Sequence, residues 1–382
     1  MAVSAIPVLW VCGPPGVGKT AVAWELFTRL RRAGAEPAYL DVDQVGICYP
    51  SPAGDPERHG LKIRNVAALR GSFAVAGARG LVVSGVTDPD SGPDIDVLGG
   101  GDVTVCRLRV DAAELVLRLD GRVGSFARVH DARRESERLD RSTFADWSLD
   151  TTGLAVAEVG DRLLATIGGW PRPASPEDEA VVEAGVDAGP GLGAGAGAGR
   201  GPRRVLWLSG PTGVGKSTVG FQVYRRVLGS GAQAAYLDMD QLGFCAATPA
   251  DPGLGPRNLT ALAAGFGAAG ADALVVVGPI AGRAEALHYE AALPAATFTW
   301  CRLHAGSDEL TRRILTRREH GGWPQPGDPL RGRPTDELLA VARRAVADAA
   351  ALERRGHGLR VDVDDLSPER AAASILSLVH WS

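Results

Sequence analysis

Two octapeptides in this 382-residue chain carry residue types and spacing that can hold phosphate. The first is Gly13-Pro14-Pro15-Gly16-Val17-Gly18-Lys19-Thr20, and the second is Gly210-Pro211-Thr212-Gly213-Val214-Gly215-Lys216-Ser217, followed by Thr218. Both fit G-x-x-x-x-G-K-[ST], the phosphate-binding P-loop. Glycines let successive backbone N–H groups turn into one concavity at a helix N-terminus, where the helix dipole also favours an anion. Lys19 and Lys216 would reach the outer phosphates, and the hydroxyls of Thr20 and Ser217 are ligands suited to Mg²⁺. The chemistry this implies is binding of a nucleoside triphosphate, with ATP and Mg²⁺ as the cofactors.

A second pair of positions recurs at the same distance from each lysine. Asp41 and Asp43 lie in the stretch Tyr39-Leu40-Asp41-Val42-Asp43-Gln44, and Asp238 and Asp240 in Tyr236-Leu237-Asp238-Met239-Asp240-Gln241. One carboxylate of each pair, Asp41 or Asp238, could hold a metal-bound water. The other, Asp43 or Asp240, could orient or deprotonate an acceptor hydroxyl. As turn or cap residues they would need no such role. Arg118 and Arg122, and Arg313, Arg317 and Arg318, are candidates for a lid that closes over the transferring phosphate, with Glu114 and Glu309 as alternative ion-pair partners. Arg64-Asn65 and Arg257-Asn258 are candidate contacts to an anionic substrate.

Positioning these residues requires a strand before each loop and a helix after it. Val8-Leu9-Trp10-Val11 and Val205-Leu206-Trp207-Leu208 supply the strands. Val22, Leu26 and Leu30, and Val219, Val223 and Val227, supply helical periodicity. Gly80 to Gly85 and Val103 to Arg109 read as further strands, Glu114 to Arg122 as a helix start, and Ala155 to Ile167 as a closing helix. Arg128 to Arg141 reads as a mobile, solvated segment. The second half repeats this order. Alternating strands and helices predict an α/β protein of two tandem P-loop domains, each a parallel sheet covered by helices on both faces. The expected spans are 1–170 and 204–382. The Pro-, Gly- and Ala-rich stretch 171–203 is expected to be a flexible linker.

Composition narrows the function classes. The net charge of −4 and the absence of a basic stripe with aromatics argue against nucleic acid as partner. No apolar run approaches a bilayer span, so no membrane role is expected. Cys12, Cys48, Cys106, Cys245 and Cys301 show neither disulfide nor zinc spacing, which makes a reduced cytoplasm the default and buried small side chains their expected role. Basic residues are almost all arginine, and the lysines are Lys19, Lys62 and Lys216. Two of the three thus lie in P-loops, where a compact ammonium suits phosphate better than a planar fork. The third strand ends in Ser84-Gly85 or Val277-Gly278, without the acidic residue of hydrolytic ATPases. This favours a small-molecule kinase over a motor, transporter or GTPase.

The chain resembles the P-loop kinases of small metabolites, especially adenylylsulfate kinase and more distantly the gluconate and shikimate kinases. The residues behind this are the P-loops, Tyr39 to Gln44, Asp55-Pro56-Glu57-Arg58 leading to Arg64-Asn65, Ala76-Gly77-Ala78 with Leu81 to Ser84, and the helix from Glu114. The resemblance implies ATP, Mg²⁺, transfer of the γ-phosphate to a hydroxyl, and a closing lid, with Asp43 and Asp240 on the acceptor side. Ala68 and Ala261 stand where adenylylsulfate kinases carry a further arginine, and Gly255 replaces the basic position held by Lys62. The paired architecture is similar to that of actinobacterial ATP-binding proteins of P-loop kinase type. A second reading is a nucleotide-dependent regulatory protein with little turnover, which would act on a protein partner.

Overall fold

The computed structural model describes residues 6–100, 102–119, 125–171, 201–247, 250–317, 328 and 330–381. Arg122, Arg318 and nearly all of the expected linker lie outside these. The chain divides into two compact units. Unit 1 gathers the described residues of Met1–Gly46, Glu57–Gly195 and Phe244–Leu254, and unit 2 those of Ile47–Pro56, Ala196–Gly243 and Gly255–Ser382. The units therefore depart from the contiguous spans 1–170 and 204–382 at residues 47–56 and 244–254.

In unit 1, β1 (Val8–Cys12), β2 (Pro37–Asp41), β4 (Gly80–Ser84), β5 (Val103–Arg109) and β6 (Trp147–Asp150) form a parallel sheet in the order β2-β4-β1-β5-β6. Every residue of β1, β2 and β4 is buried, as in parallel strands covered on both faces. The helix α1 (Lys19–Arg32) buries Val22, Ala23, Leu26, Phe27 and Leu30 against the sheet. Register fixes the site: Ser84 pairs with both Val11 and Asp41, so the loop after β1, the acid ending β2 and the hydroxyl ending β4 meet at one edge. That edge is the carboxyl end of the strands, where such sheets bind ligands. The remaining helices are α2 (His59–Val75), α3 (Ala112–Leu119), α4 (Ser125–Arg141) and α5 (Val156–Ile167). Phe244 to Ala246 runs along the free edge of β2. The Tyr39 N–H donates to the Phe244 carbonyl at 2.9 Å, and the Ala246 N–H to the Pro37 carbonyl at 2.9 Å. The Phe244 ring enters an aromatic cluster with Trp24, Phe27 and Tyr39.

One expectation is corrected in this unit. Arg128 to Arg141 belongs to the ordered helix α4. Ala132 and Leu139 are fully buried two turns apart, and Arg107 donates to the Leu139 carbonyl and the Asp140 carboxylate. The dense charges around these two positions mask a narrow apolar stripe.

In unit 2 the sheet order is β11-β10-β7-β9-β8-β3. The strands are β3 (Cys48–Tyr49), β7 (Arg204–Ser209), β8 (Ala234–Asp238), β9 (Ala273–Val277), β10 (Thr297–His304) and β11 (Leu359–Asp362). All pairs are parallel except β3, a two-residue antiparallel strand that covers the edge of β8. The helices are α6 (Lys216–Gly229), α7 (Leu254–Ala268), α8 (Arg283–Ala292), α9 (Ser307–Thr316), α10 (Thr335–Arg355) and α11 (Pro368–Val379). Asp238 and Leu208 both pair with Val277, which reproduces the register of unit 1.

Candidate active site

Each P-loop closes on itself as a turn into a helix. Gly16 and Gly18 have φ of +87° and +102°, and Gly213 and Gly215 have +81° and +101°. These are left-handed conformations that glycine adopts without strain. A Cβ on Gly16 would lie 2.8 Å from Leu119, and one on Gly13 2.6 Å from the Leu108 carbonyl, so the loop packs directly on α3 and β5. Among the described residues beyond its chain neighbours, nothing lies within 4 Å of a Cβ built on Gly18. Neither α1 nor α6 has a side-chain cap or an acidic residue in its first turn, which leaves the helix N-termini open to an anion.

The Lys19 ammonium donates to the carbonyls of Gly13 at 2.8 Å and Pro14 at 3.0 Å. Lys216 repeats this with Gly210 at 3.1 Å and Pro211 at 3.4 Å. Burial pulls both lysines below their ordinary pKa. For Lys19 this is opposed by Glu135, Asp43 and Asp41, and for Lys216 by Asp240 and Asp238, while Arg317 adds to the depression. A phosphate would restore the missing negative charge.

The hydroxyls and acids meet as the register requires. Thr20 Oγ1 donates to Asp41 Oδ2 at 2.9 Å, and Ser217 Oγ to Asp238 Oδ2 at 2.7 Å. The second oxygen of each acid accepts the backbone N–H two residues on, from Asp43 at 3.0 Å and Asp240 at 3.1 Å. In unit 1 the Ser84 hydroxyl also donates to Asp41, at 3.1 Å, and shares a hydrogen bond with the Tyr39 hydroxyl. In unit 2 Val277 offers no hydroxyl, and Tyr236 donates instead to the Ser217 carbonyl. Burial, reinforced by Asp43, pushes the Asp41 carboxyl up to about 6. Among the described residues no group of three or more His, Cys, Asp or Glu forms a metal cage. A hydroxyl beside one carboxylate is the sparse donor set that suits Mg²⁺, which keeps several waters and takes phosphate oxygens. The residues thus fit ATP with Mg²⁺: Thr20 and Ser217 would hold the metal, with Asp41 and Asp238 behind them.

Arg118 has all five N–H groups engaged within its unit, and Arg313 four of its five, with Nη1 3.8 Å from a Cβ built on Gly215. Arg118 uses its N–H groups on Glu114, the Val17 carbonyl, and the hydroxyl and carbonyl of Thr151. Arg313 binds Glu309, the Val214 carbonyl and the carbonyls of Val363 and Asp364. Each ties the P-loop to the turn after an edge strand, β6 or β11. Asn65 and Asn258 are 1% and 0% exposed, and donate to the carbonyls of Val45 and Leu242 at 2.7 and 2.9 Å. They pin the loop that follows each Asp-x-Asp. Arg64 is exposed and Arg257 half-buried.

Residues outside these motifs also enter the site. Lys62, with its side chain 9% exposed, pairs with Asp43 Oδ1 at 3.1 Å. Glu135 of α4 lies in the field of Lys19, Asp43 and Lys62, and burial raises its carboxyl above the ordinary range. Arg317 lies in the field of Lys216 and pairs with Asp328 at 3.0 Å. None of the five cysteines forms a disulfide. Burial pushes Cys12, Cys106 and Cys301 up to about 12, as their expected packing role requires.

Solved structures similar to this chain include kinases of small molecules. The shikimate kinase of Bacteroides thetaiotaomicron is 16% identical, with 46% of this chain and 98% of that one covered and a TM-score of 0.32. The APS kinase of Mycobacterium tuberculosis, solved with AMPPNP and APS, is 22% identical, with 47% and 99% covered and a TM-score of 0.29. The tunicamycin resistance protein of Deinococcus radiodurans is 20% identical, with 47% and 96% covered and a TM-score of 0.30. Each likeness spans under half of this chain. No family model matches the sequence, and no curated protein does. No helix among the described residues is long and apolar enough to cross a membrane.

Proposed function

We propose that each unit binds ATP with Mg²⁺ and transfers the γ-phosphate to a hydroxyl of a small molecule. The observation that carries this reading is the hydroxyl–carboxylate pair beside a loop-held lysine, built twice: Thr20–Asp41 at 2.9 Å and Ser217–Asp238 at 2.7 Å. The bound metal would neutralise phosphate charge as it develops. Lys19 and Lys216 bind the outer phosphates. Asp43 and Asp240 orient the acceptor and take its hydroxyl proton. The acceptor oxygen bonds to phosphorus, the bond to the bridging oxygen breaks, and ADP leaves. Arg118 and Arg313 position the loops, and Arg317 is the arginine of unit 2 suited to meet phosphate. The working compartment is the cytoplasm, and neither nucleic acid nor a membrane is a partner.

For unit 1 a second reading has support. The Glu135 carboxylate in the field of Lys19 opposes a polyphosphate, which suits slow turnover and a nucleotide-sensing role toward a protein partner.

The test is label transfer from γ-labelled ATP with Mg²⁺ into a small-metabolite extract. Labelled organic product is expected from the wild type, and from Lys19→Ala and Lys216→Ala each by one unit only. Nucleotide stoichiometry by calorimetry should fall from two to one in either variant. Label released solely as inorganic phosphate would overturn the kinase reading in favour of the regulatory one.

A further inference from the structure

The two units repeat the phosphate side of the site but not the acceptor side. In unit 1 Lys62 crosses Gly46 so closely that a Cβ there would lie 2.6 Å from its Cγ and Cε. Its ammonium then meets Asp43 at 3.1 Å. In unit 2 the counterpart of Lys62, counted from the matched Arg-Asn pairs, is Gly255. Over Gly243, the counterpart of Gly46, the nearest atom among the described residues beyond its chain neighbours is the Met239 carbonyl at 3.9 Å.

The space beside Gly255 is taken by Tyr289 from α8. A Cβ on Gly255 would lie 2.4 Å from the phenol oxygen. Tyr289 is 8% exposed, and its ring packs on Trp207 with centroids 4.5 Å apart. Its hydroxyl makes no hydrogen bond to a described residue and is not among the sealed, unpaired polar atoms, so it is open to a ligand. The charges that act on it are the carboxylates of Glu285 and Asp240. Among the described residues Asp240 pairs with no cation, whereas Asp43 has Lys62. Arg64 and Arg257 occupy matching sequence positions, with Arg64 exposed and Arg257 half-buried.

We propose that the two units serve different acceptors, and that Tyr289 makes unit 2 select a hydroxyl compound that carries no anionic group. This rests on the reading of Asp43 and Asp240 as acceptor-side carboxylates. A neutral polyol, sugar or amino alcohol satisfies the phenol and the Asp240 carboxylate together, one hydroxyl between them. An anionic group in the same place would face Asp240 and Glu285 without the second ammonium that Lys62 adds in unit 1, since Lys216 is already in the field of Asp240. Tyr289 is a specificity-determining residue, and the Gly255 position is what admits it.

The test uses the full chain with Lys19→Ala, which leaves unit 2 as the transferring unit. The probes are neutral polyols, sugars and amino alcohols, and the same compounds bearing phosphate, sulfate or carboxylate. Label transfer from γ-labelled ATP and ligand-observed NMR in the presence of AMPPNP and Mg²⁺ are read in parallel. Neutral probes are expected to bind and to be labelled. Tyr289→Phe keeps the ring on Trp207 and should raise KM or Kd for them by about tenfold, with kcat little changed. The same substitution should leave the Lys216→Ala chain unaffected. Preference of unit 2 for an anionic probe, no binding of any neutral probe, or neutral binding indifferent to Tyr289→Phe would each overturn the proposal. Transfer to an anionic probe by unit 2 would do so while the kinase reading stands. Tyr289-dependent binding with no transfer anywhere would sink the kinase reading alone.

Discussion

At Lys19 and Lys216 the ammonium already spends two of its three donors on loop carbonyls, so one remains for a phosphate until the loop gives way. Unit 1 adds an opposing charge that unit 2 replaces with a cation. Glu135→Gln should therefore tighten AMPPNP–Mg²⁺ binding at unit 1 by about 1 kcal/mol, roughly fivefold. Calorimetry on the Lys216→Ala chain would show it, and unchanged affinity would remove Glu135 from the site. The glycines are as demanding. Gly16→Ala sets a side chain at φ +87° against Leu119, and should cost about 1–3 kcal/mol of unit 1 stability by denaturant unfolding. The P-loops and acid pairs were legible in the sequence because their chemistry is local. Lys62 was half-legible, as the third lysine in an arginine-rich chain. Glu135 and Tyr289 were not, because each reaches the site from a helix whose placement only the fold decides.

At the scale of elements, two helix-borne arginines act as braces. Arg118 and Arg313 match in sequence, and the structure gives them matching duties between a P-loop carbonyl and an edge-strand turn. Their spacing from Glu114 and Glu309 was readable as an ion pair, but whether the fork faced ligand or backbone was not. Glu309 is held down to about 2, first by hydrogen bonds from Arg312 and then by Arg313. A depressed acid contributes stability above its unfolded value near 4.5, and loses it as pH falls through the folded value. Glu309→Gln should thus cost about 1 kcal/mol at pH 7, a modest figure because Arg312 is exposed and screened. The gap to wild type should close as pH drops from about 4.5 to 2 in thermal melts. Asn65→Ala removes the buried donor to Val45, and should lower stability by about 1–3 kcal/mol. A rise in KM with unchanged stability would return Asn65 to the substrate.

For the whole molecule, the tandem α/β plan was legible from two loops in matching contexts, and the parallel sheets follow it. The membership of residues 47–56 and 244–254 was not, since strands of two or three residues leave little periodicity to read. Without Phe244 to Ala246, the fragment 1–171 presents β2 as a bare edge and loses one ring of its aromatic cluster. It should melt below unit 1 in the full chain, at roughly 2–4 °C per kcal/mol lost. A peptide of residues 244–254 should raise its melting point. A fragment as stable as the intact unit would make the edge segment dispensable.

The same membership sets a timetable for synthesis. Unit 1 takes its last segment from Phe244–Leu254, so the ribosome must pass the second P-loop before the first sheet can be sealed. At bacterial elongation speeds of roughly 5–20 residues per second, the stretch from residue 171 to 254 keeps β2 uncovered for on the order of 4–17 s. During that interval the nascent chain carries an open strand edge, and a chaperone that shields edges would find its client there.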